Sequence, residues 1–157
     1  IFTRAANIYG PGQQLYRIIP KTILFCKLNK KITLDGGGKS TRSFIYIDDV
    51  SRALEKIIFQ GKIGSTYHIS TNKLYSIKDL VKKICKLNNK SFNQVVKIGK
   101  ERLGKDENYS LNSNKLKKEF KWKPIYNLEK GLFFTSKWIE EEINILKKLP
   151  HKYIHIK

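Results

Sequence analysis

Ile1-Phe2-Thr3-Arg4-Ala5-Ala6-Asn7-Ile8-Tyr9-Gly10-Pro11-Gly12 decides how the rest of the chain is read. The apolar run from Ile1 to Ala6 reads as a strand, and Gly10-Pro11-Gly12 as the sharp loop that ends it. Behind the loop, Ile18, Ile19, Ile23, Leu24 and Leu28 recur at helical spacing within residues 17–28. Pro20 falls in an early turn, where its missing N–H is tolerated. A strand that turns through a glycine-rich loop into a helix is the building unit of α/β proteins.

The alternation continues outward from this unit. Ile32 to Leu34 and Ser43 to Ile47 read as strands, with a turn at Gly36-Gly37-Gly38 between them. Asp48 or Asp49 caps a helix carrying Val50, Ala53, Leu54, Ile57 and Ile58, which Gly61 and Gly64 end. Thr66 to Ile69 is another strand. Ser76 and Asp79 resemble a capping box, with Asp where Glu or Gln is usual, ahead of a helix with Ile77, Leu80, Val81, Ile84 and Leu87. Residues 88–110 read as a polar loop with one apolar patch at Val95-Val96. Ser113 to Phe120 is a short helix, broken by Trp122-Lys123-Pro124. Asn127 then caps a long helix from Leu128 to about Leu149, built on Leu132, Phe133, Trp138, Ile139, Ile143 and Leu146. Trp122, Phe133, Phe134 and Trp138 are expected in the core rather than as a platform for bases. Pro150 ends the last helix, and 150–157 form a frayed tail. The expected fold class is α/β: one sheet edge with a small, mostly helical cap, over residues 1–149.

The chain has 157 residues, with 32 Lys+Arg against 13 Asp+Glu and a formal net charge of +19. Its 40% hydrophobic content is enough for a core and argues against disorder. No apolar run approaches the ~18 residues of a membrane span, and no basic-then-apolar leader is visible. Residue 1 is Ile and Met is absent, so the chain reads as the downstream part of a longer one. The charge makes nucleic acid a candidate partner. Only five of the 32 basic residues are Arg, however (Arg4, Arg17, Arg42, Arg52 and Arg102), and the lysines are spread over the whole length. Bidentate recognition of phosphate or bases leans on Arg, so a solvated lysine surface is favoured over a nucleic-acid interface. Cys26 and Cys85 lie among apolar neighbours in helical patterns, as small buried hydrophobes do. They suit a reducing cytoplasm, and no Cys/His spacing reads as a zinc site.

Gly36-Gly37-Gly38-Lys39-Ser40-Thr41 imitates the end of a phosphate-binding P-loop. That motif needs a glycine where Thr33 stands, and it must open a helix rather than the strand-like Arg42-Ser43-Phe44-Ile45. The glycine run is read instead as a tight loop or a close backbone approach. Asn7, Arg42 and Arg102 fall at strand or loop ends, where α/β sheets bind ligands. Two converging guanidinium groups would suit a diphosphate. Arg52 is read as a surface residue pairing with Asp49 or Glu55, and Asp48-Asp49 as capping residues before an acid–base pair.

Five segments together carry a family resemblance. Arg4-Ala5-Ala6-Asn7-Ile8-Tyr9-Gly10-Pro11 resembles the R-x-x-N-x-Y-G-P segment of extended short-chain dehydrogenases/reductases. Gly36 to Val50 resembles their G-x-G-x-x-x-R-D-F-x-x-V-x-D-V. Gly64 to Ile69 resembles G-x-x-Y-N-I, and Arg102 to Asn112 resembles R-x-G-H-D-x-x-Y-x-x-D. Phe120 to Leu132 is similar to the closing L-G-W-x-P…L-x-x-G-[LI]. The likeness covers residues 3 to about 138 in order and is nearest to nucleotide-sugar 4,6-dehydratases of the dTDP-glucose type, with a nucleotide-sugar epimerase as the alternative.

The resemblance implies the C-terminal part of a Rossmann-like doubly wound sheet, supplying most of a nucleotide-sugar pocket. It implies NAD, held mainly by an N-terminal half that carries the Gly-rich loop and the catalytic Y-x-x-x-K pair, both of which the resemblance sets upstream of this sequence. It implies a possible homodimer of the longer chain. By position, Asn7 would contact the substrate near sugar and diphosphate, and Arg17 and Ile18 would open the pocket helix. Thr33, Leu34 and Asp35 would flank the base, Arg42 and Arg102 would grip the diphosphate, and Asn72 would line a pocket loop. Lys105 stands where relatives have His, and Asp35 where Tyr is frequent. Lys121 replaces a usual Gly, altering a turn. Half a doubly wound sheet would leave an apolar edge and face uncovered.

Overall fold

The computed structural model describes residues 1–101, 104 and 106–153. One run of chain forms both β1 (Phe2–Ala5) and β2 (Asn7–Tyr9), which take different partners on either side of Ala6. β1 lies parallel to β5 (Thr66–Ile69), with Phe2 opposite Thr66. β2 lies parallel to β4 (Thr41–Tyr46), with Asn7 opposite Phe44. β4 also takes β6 (Leu74–Ser76) antiparallel and β8 (Asn108–Tyr109) parallel. β3 (Ile32–Asp35) and β7 (Val96–Gly99) make a separate parallel pair.

Seven helices accompany the strands among the described residues: α1 (Ile18–Lys27), α2 (Ile47–Gln60), α3 (Ile77–Leu87), α4 (Phe92–Val95), α5 (Asn114–Phe120), α6 (Leu128–Glu141) and α7 (Ile143–Leu146). Side chains alternate across a strand, and β4 uses that alternation to serve two cores. Phe44 and Tyr46 join Tyr9, Ile23, Leu80, Ile84 and Leu132 under α1, α3 and α6. Ile45 joins Ala53, Ile57, Tyr67, Ile69, Leu116 and Trp122 beneath α2 and α5. Helices thus cover both faces, as in a doubly wound α/β sheet. β1 is the exception: among the described residues it pairs with β5 alone, and Phe2, Thr3 and Arg4 are exposed, so neither face of the strand is covered there.

Several local expectations meet different physics. The Val95-Val96 patch is no loop; it ends α4 and starts β7, which finds its partner β3 far away in sequence. Ile47 begins α2 rather than ending β4, and Tyr46 occupies the N-cap without a side-chain bond. Asp49 therefore lies inside the first turn, fully buried. Its carboxylate accepts the backbone N–H of Ile125 (2.9 Å) and Tyr126 (3.0 Å) and a bond from Arg52 (2.9 Å). Its own carbonyl accepts the Trp122 indole N–H at 3.3 Å. One carboxylate thus ties α2 to the Trp122–Tyr126 connection, a duty that local sequence does not reveal. Ser76 does cap α3, accepting the Asp79 N–H at 3.0 Å.

The long last helix breaks at Glu142 into α6 and α7. Its buried stripe is Leu128, Gly131, Leu132, Thr135, Ser136 and Ile139, which puts Phe133 and Phe134 outside the core, 53% and 36% exposed. Gly131 is required by close approach, because a Cβ there would meet the Tyr9 hydroxyl and ring. Lys121 ends α5 in the left-handed region at φ +49°, which explains why a glycine suits that turn. The described part of the tail is not frayed: the His151 ring stands edge-on to Phe25 at 5.6 Å and Tyr153 to Tyr16 at 5.3 Å.

Candidate functional site

A cleft of about 670 Å³ opens where β2 gives way to Gly10-Pro11-Gly12 and the chain turns into α1. It lies outside the carboxyl end of a parallel strand, the position at which open α/β sheets take ligands. Asn7 fixes its amide by donating to the Ser43 carbonyl at 3.0 Å. Arg17, exposed at the N-cap of α1, holds its guanidinium 5.2 Å from the Tyr16 ring centre. Ile18, Phe44 and Ile47 supply its apolar lining. Gly10 adopts φ +155°, and a Cβ there would press to 2.5 Å from the Ile47 side chain, so the loop is shaped by a backbone approach that only glycine makes.

The cleft therefore gathers Asn7, Arg17 and Ile18 from the predicted set. It also uses Gln13, Tyr16, Phe44 and Ile47, which sequence reading passed over. Gln13 donates to the Ile8 carbonyl at 2.6 Å, and its buried Oε1 has no partner among the described residues. The available signal was two glutamines directly behind a Gly-Pro-Gly loop.

The other predicted residues stand elsewhere. Thr33 and Asp35 are exposed on β3, whereas the Leu34 side chain is core, 3% exposed, and can offer a ligand only backbone. Arg42 clamps the segment ahead of β8, donating to the carbonyls of Asp106 (2.7 Å), Glu107 (3.3 Å) and Thr41 (2.7 Å). Asn72 is exposed, accepts a 2.6 Å bond from Lys117, and borders a separate hollow of about 440 Å³ with Lys73, Lys123 and Tyr126. Arg102 and Lys105 lie outside the described residues, so the convergence of Arg42 and Arg102 expected from sequence falls there too.

The chemistry open to the cleft is recognition. No carboxylate, imidazole or thiol lines it among the described residues. Burial first, then neighbouring Tyr46, pushes the Tyr9 hydroxyl well above its ordinary value, and it donates to the Leu128 carbonyl at 3.3 Å. Tyr9 thus stays protonated at neutral pH and is no general base. Amides, hydroxyls and one guanidinium remain, a set that suits a polyol bearing an anionic group.

Gly36-Gly37-Gly38 forms one 3-10 turn with φ of +57°, +69° and +73°. It leads into β4, not a helix, and the Glu101 carboxylate packs against Gly36 where a Cβ would be. A carboxylate there repels phosphate, so the turn is no P-loop. Nor does it fit the pyrophosphate of a dinucleotide, which needs amides at a helix N-terminus. Among the described residues there is also no group of three metal-ligating side chains, and no helix long and apolar enough to cross a membrane.

Known proteins share both sequence and fold with this chain. It is 36% identical over 138 residues to a trifunctional UDP-glucose 4,6-dehydratase/UDP-4-keto-6-deoxy-D-glucose 3,5-epimerase/UDP-4-keto-L-rhamnose-reductase of Arabidopsis thaliana, covering 88% of this chain and 20% of that enzyme. Its fold matches the dTDP-glucose 4,6-dehydratase of Bacillus anthracis, a complex with NAD, at TM-score 0.86 and 30% identity, over 92% of this chain and 46% of that one. It matches the UDP-glucose 4-epimerase of Thermotoga maritima, solved with UDP-glucose, at TM-score 0.80 and 25% identity, over 90% of this chain and 46% of that one. The chain thus spans a fifth of the plant enzyme's length and under half of the two bacterial chains. The model of the GDP-mannose 4,6-dehydratase family takes in residues 1–133, from β1 into α6, and it is to this family that the chain belongs.

Proposed function

We propose that this chain is the substrate-binding part of an NAD-dependent nucleotide-sugar 4,6-dehydratase, a lyase of the dTDP-glucose type. The observation that carries the reading is the cleft itself: Asn7, Arg17 and Ile18 meet at the carboxyl end of a parallel strand in a chain matched by a dehydratase family model. Asn7 and the Gln13 amide meet sugar hydroxyls, and Arg17 meets the negative charge of the diphosphate. Thr33, Leu34 and Asp35 flank the base, with Arg42, Arg102, Asn72 and Lys105 completing the anion and base contacts. NAD supplies hydride transfer in the assembled enzyme, and the residues of this chain do not form its pyrophosphate site. Residues 1–149 act as one unit in this role, in the cytoplasm, as half of each subunit of a homodimer.

The first experiment is calorimetric titration of the chain with dTDP-glucose and with UDP-glucose, beside a duplex DNA at two salt concentrations. A saturable response to a nucleotide sugar, weakened about tenfold by Arg17→Ala, is expected for loss of one charge-assisted phosphate contact. Salt-steep binding of DNA with no response to either sugar would replace this reading with a nucleic-acid module. The chain alone is expected to form no 4-keto-6-deoxy sugar, since no acid–base pair lines its cleft among the described residues. The fold shared with the Thermotoga maritima epimerase supports a second reading, epimerisation at the same pocket. The product made by the longer enzyme, 4-keto-6-deoxy sugar or 4-epimer, separates the two.

A further inference from the structure

α7 ends on Leu146 in the core, and Pro150 stops the helix from continuing. The chain beyond it runs back along α1. Phe25 and Lys21 lie one turn apart on that helix, and Arg17, at its N-cap, stands one turn further on, at the rim of the cleft. The His151 ring stands edge-on to Phe25, with centres 5.6 Å apart and planes at 86°. Two residues later the Tyr153 ring stands edge-on to Tyr16, at 5.3 Å and 74°. Each ring of the α1 side also carries a cation: Phe25 the Lys21 ammonium at 5.7 Å, and Tyr16 the Arg17 guanidinium at 5.2 Å. We propose that Tyr153 is a positioning residue of the ligand site. Through Tyr16 it holds the Arg17 guanidinium at the rim of the cleft, and residues 151–153 form the strap that keeps it there.

The strap has little slack. Phe25 and Arg17 are eight residues apart on the helix, about 12 Å. Residues 151–153 span at most about 7 Å, so the segment is drawn out along α1 and its two rings reach the remainder. Charge does not attach it, because Lys152 belongs to the strap while Lys21 and Arg17 belong to the surface beneath it. The edge-on ring pairs supply the attachment, in the arrangement that aromatic quadrupoles favour.

The inference rests on the cleft being the site of an anionic ligand. Tyr16 and Arg17 line it and Tyr153 does not, so the strap acts on a ligand only through those two residues. A loose arginine samples many rotamers, and a ligand that recruits it must first order it. A guanidinium already held at a ring is ordered before the ligand arrives, which raises affinity without adding a contact.

The test uses the 157-residue chain with Tyr153→Ala, Tyr153→Phe, Arg17→Ala and the combined Tyr153→Ala/Arg17→Ala variant. Tyr153 is 65% exposed, so its removal leaves the core intact. Each variant is titrated calorimetrically with dTDP-glucose, and the Arg17 side-chain protons of the free chain are followed by NMR. Tyr153→Ala should bind about two- to fivefold more weakly, and Tyr153→Phe, which keeps the ring, should recover most of the loss. In the Arg17→Ala background, Tyr153→Ala should weaken binding no further, because the strap works through that arginine. The Arg17 δ-methylene protons, shifted upfield by the Tyr16 ring, should move toward their random-coil position in Tyr153→Ala. Full affinity in Tyr153→Ala, equal losses in the two backgrounds, or an unmoved Arg17 shift would each overturn the proposal. A wild-type chain that binds no nucleotide sugar overturns the reading of the cleft instead, and the Arg17 shift then decides alone whether the strap holds that residue.

Discussion

Replacing Asp49 by Ala tests how the two covered faces of the sheet are joined. The carboxylate is wholly buried and accepts two backbone N–H groups, from Ile125 and Tyr126, besides one guanidinium bond. Alanine leaves both partly buried N–H groups without an acceptor, at about 1–2 kcal/mol each. The ion pair adds little, because Arg52 is 39% exposed and solvent screens it to about 0.5 kcal/mol or less. The Trp122 indole bond survives, since it ends on the Asp49 backbone carbonyl. The loss is about 3 kcal/mol, a Tm drop of roughly 6–12 °C for a chain of this size. Asn at this position should fare little better, because its NH2 faces a donor. Arg52→Ala should lower Tm by no more than about 2 °C. Thermal unfolding of the three variants, repeated at about 1 M NaCl, is the assay. The buried contribution should be insensitive to salt. An Asp49→Ala chain that melts within about 2 °C of wild type would refute the view that these N–H groups depend on the carboxylate.

Three further outcomes follow from the same geometry. Lys121→Gly should raise Tm by about 1–4 °C, because Lys121 is exposed and sits in the left-handed region, where only the backbone of a side-chain-bearing residue is strained. Gly131→Val should lower stability by about 1–3 kcal/mol in urea unfolding, with the Tyr9 ring displaced by the new side chain. Burial, then Lys30 and Lys21, holds the His151 pKa below its ordinary 6.5. Its neutral form is the one that packs on Phe25, so the contact is complete above 6.5 and is lost as pH falls through the lowered folded pKa. A ring-to-ring nuclear Overhauser effect that persists unchanged down to about pH 4 would contradict this.

Elements whose signals are local were readable from sequence. α1, α3 and β5 follow from helical or strand periodicity with a loop or cap at their ends, and Ser76 does cap α3. β7 was hidden because four residues carry little pattern and its partner β3 is distant in the chain. Asp49 resembled a helix cap because its two N–H partners come from Ile125 and Tyr126, which no window around residue 49 contains. The α6 stripe misled in the same way. Gly131 faces the core because Tyr9 needs room there, and Thr135 and Ser136 lie on the same buried stripe, so small residues took positions that hydrophobicity would assign to Phe133 and Phe134. In the cleft, Asn7 and Arg17 stood out by residue type, while Gln13 gained its place only through the turn behind Gly10.

β1 gives the chain a colloidal character of its own. A strand with one edge unpaired among the described residues, and with Phe2 70% exposed, is a template onto which another strand can add. Ile1 lies beside Gly61, near Ile58 and Phe59 at the end of α2, and both of those are exposed as well. Copies of the chain are held apart by their net charge of +19, and that repulsion reaches only about 10 Å at 0.1 M salt. Ionic strength therefore acts as the solubility dial of this polypeptide: dilute buffer keeps it dispersed, and concentrated salt lets its open edge find another.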